Sequence, residues 1–175
     1  MKTISALVVM VLLSFASAFA QHSSMPAGMS HEEHMKQMAK DEELKKRGAA
    51  AMGFDQDATT HHFLLSAEGG SIGVASNNLD NVEAVGQVRA HLKEIAQAFA
   101  AGEFDKPFAT HGEVPPGVPV MQAQESLIRY QYEDRPDGGR VVIKTSDATA
   151  LSAIHEFLRY QIVEHKTGDP LTVSR

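Results

Sequence analysis

Between residues 81 and 101 apolar side chains recur every three or four positions: Val85, Val88, Leu92, Ile95 and Phe99. That spacing predicts an amphipathic helix, with Asn77, Asn78 or Asp80 as its cap and Gly102 as its stop. The rhythm returns at Leu151, Ile154, Leu158 and Ile162, after a capping Asp147 and before Gly168 and Pro170. Ahead of each helix the period changes to two. Residues 61–66 and 72–75, on either side of a turn at 68–71, read as a hairpin. Ile128, Tyr130 and Tyr132, then Val141, Ile143 and Thr145 beyond a turn at 134–139, read as a second.

The element order is therefore ββα, loop, ββα. Both turns carry Gly-Gly before alternating aliphatics (GGSIGV and GGRVVI), which points to a weak internal duplication. The expected fold class is α+β: a four-stranded antiparallel sheet with two helices on one face, in a single domain over 54–175. Residues 103–125 hold four of the seven prolines and read as a long binding or lid loop.

Residues 21–53 read as a tail with one helix. Ser30-His-Glu-Glu33 is a capping box, and good helix formers follow to Arg47, with Gly48 or Gly53 as the stop. The first twenty residues pair Lys2 with an apolar run and Ala18-Phe19-Ala20, the pattern of a cleaved signal peptide. The mature chain is thus expected to be periplasmic or secreted, and not an integral membrane protein.

Composition narrows the chemistry. The chain has no cysteine, nine histidines and eight methionines. Disulfides, thiolate sites and cysteine nucleophiles are excluded. Its net charge is -6, with no basic stripe, which argues against a nucleic-acid partner.

The histidines are the first candidates for a site. His91 and His155 lie on or beside the apolar stripes of the two helices, His61 and His62 start the first strand, and His111 sits in the Pro-rich loop. Converging imidazoles from His62, His91, His111 and His155, with His61 as a further candidate, suit copper or zinc. The plain alternative is boundary histidines satisfied by backbone or carboxylate. On the tail, His31, His34, Met35 and Met38 fall at i, i+3, i+4 and i+7, a stripe of soft and borderline donors suited to copper. There the alternative is a helix face that packs on the domain or a partner. GGSIG, residues 69–73, matches G-x-S-x-G but reads as a hairpin turn rather than a nucleophile elbow. His165, beside Glu164, reads as a cap at a helix C-terminus.

With GFDQDATTHHF, HGEVPPGV and AIHEFLRYQIVEHKTGDP in view, the chain from about Gly53 to Leu171 resembles a family of small exported bacterial proteins. Its members bear the description "aspartate carbamoyltransferase". The Ser-Thr-Arg-Thr loop of that enzyme does not occur here. The resemblance implies an exported single domain and brings no catalytic residues.

The expected function is an exported His-rich binding protein for copper or zinc, or for another small ligand. Two alternatives stand beside it. One is a small hydrolase or isomerase using His62, or His155 beside Glu156, as general base. The other is a module that docks on an envelope protein.

Overall fold

The structure is a computed structural model and describes residues 29–173. The expected signal peptide, with His22 and Met25 of the tail, lies outside the described residues. Helix α1 spans His31–Met52. The Ser30 hydroxyl accepts from the Glu33 amide at 3.2 Å, and the Ser30 amide donates to the Glu33 carboxylate at 2.9 Å, so the capping box is formed. Gly53 stops the helix in the left-handed region, with φ +73°, while Gly48 is buried inside it.

Two hairpins follow the expected pattern. Strands β1 (Thr59–Ser66) and β2 (Gly69–Ser76) are joined by Ala67-Glu68, and β3 (Ile128–Arg135) and β4 (Gly138–Thr145) by Pro136-Asp137. Both loops are tighter than the sequence suggests, because the Gly-Gly pairs open the return strands rather than the turns. The sheet is antiparallel in the order β1-β2-β4-β3. GGSIG is the first part of β2, so it has none of the strand-to-helix geometry of a nucleophile elbow.

The two ββα halves are related by a pseudo-two-fold through the β2–β4 pair. Ile72 faces Val141 at its centre; Gly70 faces Ile143, and Val74 faces Gly139. The glycines have different neighbours. A β-carbon on Gly70 would collide with Leu158, and one on Gly139 would press on the Tyr132 ring at 2.7 Å.

One sheet face carries Phe63, Leu65, Ile72, Val74, Val141 and Ile143. It packs against the stripes of α2 (Val82–Ala100) and of a later helix over Ala148–Glu164 in one apolar core. The cap of α2 is Asn81, whose side chain accepts from the Ala84 amide, not one of the earlier polar residues.

The Pro-rich segment is not a loop. It forms α3 (Asp105–His111) and α4 (Val118–Ala123), and the last helix is therefore α5. Pro107 and Pro119 lie in the first turns of α3 and α4, where an amide has no partner within the helix to lose. Gly112 and Gly117, at φ +73° and +81°, make the left-handed bends between them. Helix α1 docks across this region through Arg47, which donates to the carbonyls of Thr110 at 3.0 Å and His111 at 3.2 Å. Among the described residues no helix is long and apolar enough to cross a membrane.

Candidate functional site

A cavity of about 70 Å³ lies where β1, β2, α1, α2, α3 and α5 meet. Its walls are mostly apolar, with Phe63, Ile72, Val74, Leu92, Ile95, Phe99 and Phe157 among them. Four histidines interrupt those walls: His61, His91, His111 and His165.

Each arrives by a simple local rule. Side chains alternate along a strand, so His61 shares the inward face of β1 with Phe63 and Leu65, which are buried, while His62 faces out. On α2, His91 stands three residues after Val88 and four before Ile95, at the edge of the buried stripe. His111 closes α3 just before the Gly112 bend. His165 caps α5 and continues the line of Leu158 and Ile162 by one more step, its amide donating to the Gln161 carbonyl at 2.9 Å.

His165 is the hub of the ring cluster. Its centroid is 5.1 Å from that of His111, edge to face, and 6.0 Å from that of His61, nearly parallel. His91 is joined to the group through Phe54, 5.4 Å from His91 and 6.2 Å from His61.

Burial sets the charge state. It pushes His61 and His91 down to about 4 and His165 down to about 3. The neighbouring imidazoles add to the effect on His165, and Lys106 adds to that on His91. His111 is also lowered by burial, with its Gln161 bond working in the other direction. At neutral pH the cavity therefore holds neutral imidazoles.

Neutral rings have one nitrogen that donates and one with a free lone pair. His111 Nε2 lies 3.0 Å from the Gln161 side-chain oxygen, which requires the proton on Nε2 and leaves Nδ1 as the acceptor. Four side-chain nitrogens on the cavity residues are buried with no partner among the described residues: His61 Nε2, His91 Nδ1, His111 Nδ1 and Gln161 Nε2. Each such group costs about 1–3 kcal/mol if nothing pairs with it. As the side chains stand, no three histidine or carboxylate groups among the described residues are arranged to hold one ion. Among the described residues no carboxylate lines the cavity.

The other expected ligands stand elsewhere. His62 Nδ1 is 2.9 Å from Asp169, whose other oxygen accepts from the Phe63 amide. His155 Nε2 donates to the carbonyls of Ser66 at 2.9 Å and Gly69 at 3.0 Å, tying α5 to the first hairpin. His31, His34, Met35 and Met38 lie on α1, with both methionines about half exposed. The structure thus brings His91 and His111 to one cavity with His61, and separates them from His62 and His155.

His165 and Gln161 take part in the cluster without having been expected there. The signal for His165 was present in its spacing from Leu158 and Ile162, where its place at the helix end favoured a capping role. The sequence matches no protein-family model, no curated protein and no solved structure.

Proposed function

We propose that this is an exported binding protein for a transition metal ion, held by imidazoles of the His61–His91–His111–His165 cavity. The observation that carries the reading is the group of neutral rings with unpaired, buried nitrogens in one apolar pocket. Metal ligation needs the deprotonated ring, and burial supplies it without a base. Centroid separations of 5.1 and 6.0 Å around His165 suit rings that turn onto one ion, because bonds of about 2.1 Å hold two imidazoles at roughly this spacing. The Gln161 contact supports it further, since metal-bound histidine usually donates its other N–H to a fixed acceptor.

Copper is favoured over zinc. Among the described residues the lining has a lysine, Lys106, and no carboxylate, so nothing in the wall neutralises the charge of a bound ion. The desolvation cost rises steeply with charge, so a monovalent Cu(I) is accommodated more cheaply than Zn(II).

General-base catalysis has less support. An imidazole at about 4 or below is a weak base at neutral pH. Of the candidate bases, His155 is engaged by two carbonyls, and His62, held by Asp169, lies outside this cavity. The apolar walls keep a second reading in view, a small uncharged organic ligand that accepts or donates one hydrogen bond to a ring.

Anaerobic Cu(I) titration and Zn(II) titration of the full chain, beside His61→Ala/His165→Ala, test the proposal. About one equivalent lost in the double variant supports it. Equal uptake by both proteins contradicts it, and no uptake by either turns the search to organic ligands.

A further inference from the structure

The geometry points to a second metal site, for a soft monovalent ion, on the solvent side of α1. His31, His34, Met35 and Met38 form a lozenge there. His31–Met35 and His34–Met38 are i,i+4 pairs, and His31–His34 and Met35–Met38 are i,i+3 pairs. Such pairs stand about 5–6 Å apart at their β-carbons. All four fall within about 100° of the helix circumference.

Their surroundings leave them free to bind. The domain is met mainly by a neighbouring strip of α1, through Leu44, Gly48 and Arg47, with His34 half-buried at its edge and His31, Met35 and Met38 exposed. Met35 and Met38 are 52% and 49% exposed, so neither fills a core. Among the described residues the polar bonds of this stretch pass the imidazoles by: the capping box uses Ser30 and Glu33, and Lys36 pairs with Glu32. The capping box fixes the first turn, so the donor spacing is set before an ion arrives.

Two imidazoles and two thioethers select the ion. Thioether sulfur is a soft ligand that holds Cu(I) or Ag(I) and has little affinity for Zn(II). This site differs from the cavity in exposure and in donor set, and it does not rest on the cavity reading.

The test is an oxygen-free Cu(I) titration of the full chain against a chromophoric chelator, with Met35→Leu/Met38→Leu alongside. Leucine is as good a helix former, so α1 is retained and circular dichroism checks it. The expected result is one equivalent of Cu(I) bound at least about tenfold more weakly in the variant, with Zn(II) uptake unchanged. Methyl resonances of Met35 and Met38 shift with Cu(I) or Ag(I), while that of buried Met121 stays. Unmoved Met35 and Met38 methyls, or equal Cu(I) binding by wild type and variant, overturn the proposal. The methyl shifts persist in His61→Ala/His165→Ala, so the two sites fail independently.

Discussion

The rings of His111 and His165 meet edge to face, 5.1 Å apart between centroids and 80° apart in plane. They come from elements 54 positions apart in the chain, and Gln161, one turn before His165, holds the far nitrogen of His111. One turn of α5 thus supplies a ring and orients its neighbour. Gln161→Met keeps the volume and removes the acceptor. The expected outcome is metal affinity weakened by roughly 10- to 100-fold with the fold intact, measured by competition titration.

The buried rings also tie stability to pH. Their folded values lie below the usual 6.5, at about 4 for His61 and His91 and about 3 for His165. The unfolded chain therefore binds protons first as pH falls. Stability is full above about 6.5 and declines until the folded rings titrate, near 4. For His61 alone the loss is roughly 3 kcal/mol. A metal-free melting temperature that drops steeply between pH 6.5 and 4 is expected. Replacing His61 by Phe should flatten that slope.

His155 serves the fold. His155→Ala removes the donor to Ser66 and Gly69 and should cost about 1–2 kcal/mol in urea unfolding. Metal uptake should be unchanged.

Arg47 latches α1 over the cavity. Arg47→Met loses two charge-assisted bonds to the last turn of α3. A cost of about 1–2 kcal/mol is expected, with faster amide exchange along α1 than along α5.

Gly70 is required by packing, because a β-carbon there would collide with the Leu64 carbonyl as well as with the tip of Leu158. Gly70→Ala should destabilise by about 1–3 kcal/mol, seen as a lower urea midpoint with an unchanged slope.

The sheet, the helices α2 and α5 that pack on it, and their α+β arrangement were legible because periods of two and 3.6 alternate cleanly along the chain. Residues 103–125 were not, because Pro107 and Pro119 signal a break by type and permit a helix by position. The site was legible in part. His91 and His111 were expected to share an interior, and they line one cavity. The choice between His61 and His62 was hidden because Phe63, Leu64 and Leu65 make both strand faces apolar. His155 lies on an apolar stripe, as a ligand would, and only the position of the first hairpin shows that its ring is taken by two carbonyls.

The most direct test follows the histidine rings themselves. Ring 15N resonances of the full chain are recorded as one to two equivalents of diamagnetic Cu(I) are added without oxygen. At least two of His61, His91, His111 and His165 are expected to change together, while His62 and His155 do not. Unchanged resonances for all four cavity rings at saturating metal would contradict the proposed site.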